Sequence, residues 1–350
     1  MSQQTIDRAS TLTPNADTYI STEKGTPMTT TTSQYVGTHD ALPDPRNEDV
    51  LIYVGGELTP RADAKVSVFD SGFLVGDGVW EGIRLQDGVL LFLKEHLRRL
   101  YEGASAISLD IGMTPEQLEG ELRRTLEANG MWDGVHVRLM VTRGTKRTPS
   151  QDPRLTVGGA TIVIIAEYKK SNPGVREVGV KLFTSTVRRP SPDFLDPKLN
   201  CHSKLHEVIA LNQALLAGAD EALMLDPNGA VSTCNATNFF IVRQGEVWTS
   251  TGQYCMNGIT RGNVVALCKQ NGITVFERDF SLTDVYGADE AFVTGTFGGL
   301  TPVSVVDGRQ IGKSVPGPMT VQLSELYERH KEEWVRSSGE IHGARAGRRG

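Results

Sequence analysis

Two turns in this sequence have the composition to hold an anion. Gly258-Ile259-Thr260-Arg261 opens a helical segment. A helix N-terminus presents N–H groups without intrahelical acceptors and the positive end of the helix dipole. Thr294-Gly295-Thr296-Phe297-Gly298-Gly299 follows a short strand-like run, and its glycines let backbone approach a ligand closely. Together the two turns predict a phosphate cup. Neither fits Gly-x-Gly-x-x-Gly, which argues against a dinucleotide fold. A second concentration of reactive side chains lies in Asp196-Pro197-Lys198-Leu199-Asn200-Cys201-His202-Ser203-Lys204-Leu205-His206. His202 and His206, four apart, share a face if a helix has begun. With Cys201 they have ligand chemistry, but a metal site normally shows a third ligand at its own spacing, so no metal is predicted. The plainer reading is a set of polar groups at the mouth of a site, one of them a candidate general base.

These segments need a scaffold. Val50 to Val54 and Val89 to Leu93 read as short buried strands, and Lys94 to Ile107 as a helix. Thr114-Pro115-Glu116-Gln117 predicts a helix start, with Thr as N-cap, Pro at the first position and Gln closing a capping box. That helix ends at Asn129-Gly130. His136 to Thr142 and Thr161 to Glu167 are rich in β-branched residues and read as strands. The three prolines of residues 187–199 mark a connection, and a helix follows over Ser203 to Ala217. Strands are expected at Ala222 to Leu225, Phe239 to Arg243, Val247 to Thr249 and Ala291 to Thr294. Further helices are expected at Thr260 to Gln270 and Met319 to Val335. The pattern is α+β with two subdomains, 47–170 and 191–336, joined by a connection at 171–190. Residues 1–46 are polar and Thr-rich, and 337–350 are similar in character. Both are expected to be disordered, because they bury too little apolar surface to offset their ordering entropy.

The chain has 350 residues, 39% hydrophobic and 22% charged, close to globular averages. A net charge of −6 argues against a nucleic-acid partner, which ordinarily meets a basic face. No run approaches the length of a membrane span, and the N-terminus lacks the basic and apolar regions of a signal peptide. The four cysteines form no Cys-x-x-Cys pair. The expected setting is therefore cytoplasmic, with reduced thiols.

Several blocks, in order, resemble one family. Val66 to Arg84 (VSVFDSGFLVGDGVWEGIR) is similar to the block D-x-G-F-x-x-G-D-G-V-x-E-x-I-R of the class IV, or fold-type IV, pyridoxal-phosphate enzymes. His96-Leu97-Arg98-Arg99-Leu100 resembles their H-L-x-R-L helix. Gly218-Ala219-Asp220-Glu221-Ala222 resembles their G-A-D-E-A turn. Asn238-Phe239-Phe240, Met256 to Arg261 and the Gly295 to Val303 turn complete the series. The resemblance covers about 50–310. It implies a two-subdomain, D-amino-acid aminotransferase-like fold, pyridoxal 5'-phosphate as cofactor, a small-molecule amino donor and 2-oxo acid acceptor as partners, and a homodimer. It also implies that Arg99 binds the cofactor phosphate, with Arg98 the exposed neighbour. Ile259 and Thr260 would give backbone N–H groups, and Thr296 a hydroxyl and an N–H. Arg fits such a role because its fixed fork of donors meets phosphate oxygens in pairs.

The resemblance breaks at two positions. In D-P-x-x-K-x-x-N the family carries the lysine that bonds covalently to the cofactor. An ungapped match places Asn200 there, and counting back from Glu221 gives the same register. Asn cannot form that bond. Lys204 falls where branched-chain aminotransferases place a tyrosine near the reactive carbon. Lys198 would serve only through a two-residue bulge. The third possibility is that no lysine bonds the cofactor. The second break is Thr233, which stands where the family has a carboxylate that keeps the cofactor ring nitrogen protonated. A hydroxyl partner would leave that nitrogen neutral and the ring a weaker electron sink.

Amino transfer, between an amino acid or amine and a 2-oxo acid, is the leading expectation. The alternatives are a lyase or racemase of the same fold, which Thr233 favours, and a cofactor-binding homologue with altered or lost catalysis, which Asn200 favours. Arg138 matches an arginine near the substrate carboxylate of branched-chain aminotransferases. Arg147 lies near the corresponding loop of the D-amino-acid enzymes but one residue out of register. Tyr53, Phe73 and Trp80 either line the pocket or fill the core, and core is the expectation.

Overall fold

Two sheets position the site in the computed structural model, which describes residues 37–39 and 41–346, with side chains as far as 338. The first is antiparallel. Its strands run in the order Glu57–Pro60, Leu51–Val54, Thr161–Tyr168, Val135–Thr142, Gly78–Gln86 and Val89–Leu90. Gly78–Gln86 alternates in burial, as the period of a strand with two unlike faces requires. Val79, Ile83 and Leu85 join Leu97, Leu100 and Ala104 of the helix Leu93–Ala106 in one core. Leu118, Leu122 and Leu126 of the helix Pro115–Ala128 complete it. That second helix starts as the sequence predicts: Thr114 and Gln117 cap one another reciprocally.

The second sheet is mixed. Its order is Val275–Glu277, Glu246–Thr249, Asn238–Arg243, Glu290–Gly295, Gly299–Val306, Val180–Thr184, Glu221–Leu225 and Val231–Cys234, with Arg309–Gln310 paired to Gly299–Val306. Val180–Thr184 runs parallel to both its neighbours. Phe240 and Phe292 face each other in register, their rings stacked at 4.9 Å. The helices Ile259–Gln270 and Pro318–Ala346 cover that face through Val264, Leu267, Leu323 and Tyr327. Leu205–Leu216 packs Ala210 and Ala214 against Ala222 and Met224.

Several sequence expectations are corrected. The run Val89 to Leu93 is a strand only over Val89–Leu90, because Phe92 turns left-handed (φ 53°) and caps the helix that begins at Leu93. Its ring is held there against His330 and Trp334. The last helix continues past Val335 to Ala346, into the segment expected as a disordered tail. Of the N-terminal segment, residues 1–36 and 40 lie outside the described residues, as do 347–350 of the tail. The described part of 1–46 is tied down: Thr38 is buried, Ala41 pairs with Ser171, and Asp44 caps the turn Pro45–Asn47. Among the described residues, seven strands were not anticipated, including Gly78–Gln86 and Val231–Cys234. Both carry glycine, serine or charged residues that obscure the alternation.

Candidate active site

The strand Gly78–Gln86 carries different chemistry on its two faces. On the helix side, Glu81 is fully buried and accepts from Arg99 Nε at 2.7 Å and Arg99 Nη2 at 2.7 Å, and His96 Nδ1 lies 2.7 Å away. The spacing of His96 and Arg99, three apart on Leu93–Ala106, puts both on the face that meets the strand. Burial by itself would raise the Glu81 carboxyl. The Arg99 charge and hydrogen bonds, with the His96 contact, outweigh burial and hold it below the usual glutamate value. Arg99 Nη1 donates to the Asn257 carbonyl at 2.9 Å. The guanidinium is thus fixed at the entrance to the helix Ile259–Gln270, with two of its five N–H groups uncommitted.

On the other face, Trp80 and Gly82 line a cavity of about 290 Å³ that lies against the second sheet. Arg138, across the strand pair, stacks its guanidinium 3.7 Å from the Trp80 ring centre. Among the described residues Arg138 has no hydrogen-bond or ion-pair partner. Burial lowers its pKa, partly offset by the Glu81 charge. His136 sits on the same strand. Burial, then the charges of Lys169, Arg138 and Arg84, push its pKa well down, so it stands neutral.

The anion cup assembles at the far wall. Ile259 and Thr260 are the first residues of their helix, Gly258 is the N-cap, and Thr294, Gly295, Thr296 and Phe297 line the same cavity. Gly258 admits no side chain: a Cβ there would stand 2.1 Å from Asn238 Oδ1. Asn238 is itself held by Nδ2 donating to the Met256 carbonyl at 2.9 Å. Arg99, Ile259, Thr260 and Thr296, the four residues expected at a phosphate, therefore meet around one cavity. Arg98 is exposed, as expected, and Arg147 is exposed and away from the cavity lining.

The segment Asn200 to His202 adds a short antiparallel pairing to the free start of Gly78–Gln86. Trp80 N–H donates to the Asn200 carbonyl at 2.9 Å, His202 N–H to the Gly78 carbonyl at 3.0 Å, and Trp80 Nε1 to the Cys201 carbonyl at 3.0 Å. Asn200 is buried in the cavity wall. Its Nδ2 donates to the Trp80 carbonyl at 2.6 Å, and its Oδ1 has no hydrogen-bond partner. Lys204 lines the cavity just before Leu205–Leu216. Its Nζ lies 3.4 Å from Glu207 Oε1, which also receives Arg189 Nη1 at 2.6 Å. Lys198 is exposed and does not reach the lining. His202 Nε2 lies 3.2 Å from the Val79 carbonyl. Among the described residues no group of three or more His, Cys, Asp or Glu is arranged to hold a metal ion.

Thr233 is buried in the lining with Cys234 to Asn238. Its hydroxyl donates to the Thr237 carbonyl at 2.7 Å and accepts from Asn238 Nδ2 at 3.4 Å, so towards any further partner it can only accept, through its second lone pair. Behind it, Thr237 Oγ1 donates to Glu221 Oε2 at 2.7 Å, and Thr38 bonds the other oxygen. Burial raises the Glu221 carboxyl to about 7. Tyr53 is core, Phe73 is a surface residue, and Trp80, expected as core, lines the cavity.

Glu81, Arg189, Glu207, His136 and Thr237 were not singled out from sequence. Only the Lys204–Glu207 spacing of three was a usable local signal. The four cysteines are buried and unpaired, and among the described residues no helix is long and apolar enough to cross a membrane.

A two-sheet α+β scaffold with an arginine-and-helix anion cup facing a cation-lined cavity is the architecture of the fold-type IV aminotransferases. The family model for amino-transferase class IV matches residues 78–306, and the chain belongs to that family. It is 41% identical over 292 residues to branched-chain-amino-acid aminotransferase-like protein 2 of Arabidopsis thaliana, a match covering 83% of this chain and 52% of that one. The chain thus spans about half the length of that relative. It is also 41% identical over 284 residues to a putative branched-chain-amino-acid aminotransferase of Methanocaldococcus jannaschii, covering 81% of this chain and 97% of that one. Among solved structures, the branched-chain aminotransferase of the thermophilic archaeon Thermoproteus uzoniensis with norvaline matches with a TM-score of 0.74 at 28% identity, covering 82% of this chain and 98% of that one.

Proposed function

We propose that this chain is a pyridoxal 5'-phosphate-dependent enzyme of amino transfer, acting between an amino acid or amine and a 2-oxo acid. The convergence of Arg99, the Ile259–Gln270 N-terminus and Thr296 on one cavity carries the proposal. The fit to the cofactor is testable on the residues themselves. Gly258 lets the helix start pack directly on Asn238, the first N–H groups of the helix are without intrahelical acceptors, and Arg99 keeps two free N–H groups. These residues suit a phosphate. When bound, the cofactor supplies an electron-accepting ring and carries the amino group.

The chain's own groups then have separable tasks. Glu81 and the Asn257 carbonyl orient Arg99. Trp80 gives a flat apolar wall, and Arg138, stacked on it, offers a carboxylate its N–H fork. Lys204 is the lysine of the 196–206 segment that lines the cavity, so the amine chemistry falls to it and not to Lys198. It holds or moves the proton at the substrate's reacting carbon, with Glu207 and Arg189 setting its position. Thr233, as an acceptor, suits a protonated ring nitrogen, which favours amino transfer over a lyase or racemase. By the family analogy the protein is a homodimer, and its four unpaired cysteines suit a cytoplasmic setting.

The test is reduction with borohydride in the presence of pyridoxal 5'-phosphate, peptide mapping, and an amino-donor assay with keto-acid detection. A label on Lys204 with amino transfer abolished in Lys204→Ala is expected. Cofactor binding with neither label nor turnover would overturn the assignment of Lys204 and leave a cofactor-binding homologue.

A further inference from the structure

Residues 37–39 and 41–42 bring the N-terminal part of the chain to the cavity, fastened on both sides of His39. Thr38 is 5% exposed, and its hydroxyl donates to Glu221 Oε1. Leu42 N–H donates to the Lys170 carbonyl at 3.1 Å, and Ala41 pairs with Ser171. A Cβ at Gly298 would stand 3.3 Å from the Thr38 carbonyl, so the glycine-rich turn leaves the room that this stretch occupies. His39 itself lines the cavity, as do Lys169, Arg138 and His136, and it is solvent-exposed, so a ligand can reach it.

The hydrogen bonds settle the tautomer of His39. Above about pH 7 the Glu221 carboxylate can only accept, from Thr38 on one oxygen and from Thr237 at 2.7 Å on the other. The single Thr38 hydroxyl hydrogen is therefore spent on Glu221. Towards His39 Nδ1, 3.0 Å away, Thr38 Oγ1 can only accept, so Nδ1 carries the hydrogen. Desolvation by the surrounding walls, then the charges of Lys169 and Arg138, lower the His39 pKa to about 4. The ring is thus neutral at pH 7, and Nε2 is left as a lone-pair acceptor.

We infer that His39 is a substrate-contacting residue of this cavity, held by Glu221 through the Thr38 hydroxyl, and that its Nε2 selects substrates whose side chain ends in an uncharged O–H or N–H donor over aliphatic ones. The inference rests on the amino-transfer reading above. A hydroxyl or amide end gives Nε2 a hydrogen bond that an aliphatic end cannot. A carboxylate end has no hydrogen to give, and the charges of Lys169 and Arg138 disfavour a cationic end.

The experiment compares kcat/KM at about pH 8 for isosteric amino donors, threonine against valine and asparagine against leucine. His39→Phe keeps a ring and removes its nitrogens. It should lower both polar-to-aliphatic ratios by about threefold to tenfold, the usual scale of one hydrogen bond. Thr38→Val, which frees the imidazole, should lower them in the same direction, and Thr38→Ser should restore them. NMR of protein labelled with ¹⁵N-histidine reads the tautomer without turnover, the His39 signals among the seven histidines being those lost in His39→Phe. They should show hydrogen on Nδ1 in wild type and lose that preference in Thr38→Val. Ratios unchanged by His39→Phe would overturn the inference, as would hydrogen on Nε2 in wild type at that pH. If wild type transfers an amino group from no donor at all, the amino-transfer reading itself fails, and the inference with it.

Discussion

Glu81→Gln is the sharpest test of how the anion cup is held. The carboxylate and His96 are fully buried, and the Arg99 side chain is 14% exposed. Replacing the carboxylate by an amide removes the charge that balances Arg99 and turns one of the two acceptors into a donor facing guanidinium N–H. Breaking a buried pair by removing one partner costs about 3–5 kcal/mol, against a total stability of about 5–15 kcal/mol for ordinary domains. The acid side has a definite sign. The folded Glu81 value lies below the ordinary 4.5, so its contribution is complete above that pH and is lost as pH falls through the folded value. Urea unfolding of wild type and variant, followed by tryptophan fluorescence, should show a large gap at about pH 7 that narrows below about pH 4.5. Phosphate affinity should fall in parallel, because Arg99 loses its orientation. Equal urea midpoints at neutral pH, or a gap that widens on acidification, would refute the reasoning.

Three further outcomes are expected. Gly258→Ala places a Cβ 2.1 Å from Asn238 Oδ1, so Asn238 must leave the Met256 carbonyl. Titration with pyridoxal 5'-phosphate should show affinity reduced by about tenfold or more, with a stability loss of about 1–3 kcal/mol. Glu221 is protonated in the fold up to about 7 and ionised in the unfolded chain from 4.5, so wild-type stability should fall as pH rises between those values, by at most about 1.4 kcal/mol per unit. Urea midpoints of Glu221→Gln should lack that slope. Phe292→Ala, which removes a fully buried ring stacked on Phe240, should cost about 3–5 kcal/mol in the same assay, and a loss under about 1 kcal/mol would deny the stack its place in the core.

What could be read along the chain was what neighbours in sequence decide. The Thr114–Gln117 capping box is a contact between residues three apart, so spacing alone reveals it. The two turns that meet at the cavity could be picked out for a similar reason: a helix N-terminus and a glycine turn carry their chemistry in the backbone. The strand Gly78–Gln86 was missed because its burial alternates while its sequence, GVWEGIRLQ, does not alternate in polarity. Its buried polar member, Glu81, is satisfied only from another element.

The sequence by itself determined the residue types, including the Asn200 and Thr233 that stand where the family motif, matched without gaps, leads one to expect a lysine and a carboxylate. Only the tertiary structure decided what those residues can do. Whether Lys198 or Lys204 reaches the cavity depends on the pairing of Asn200–His202 with the edge of Gly78–Gln86, a contact across about 120 residues. Thr233 becomes an acceptor because Thr237 folds back to take its hydrogen. Asn200 Oδ1 is buried without a partner while Nδ2 is bound to the Trp80 carbonyl. Hydrogen bonds are directional and saturable, so the role of a polar side chain is settled by which of its donors and acceptors the fold has already engaged.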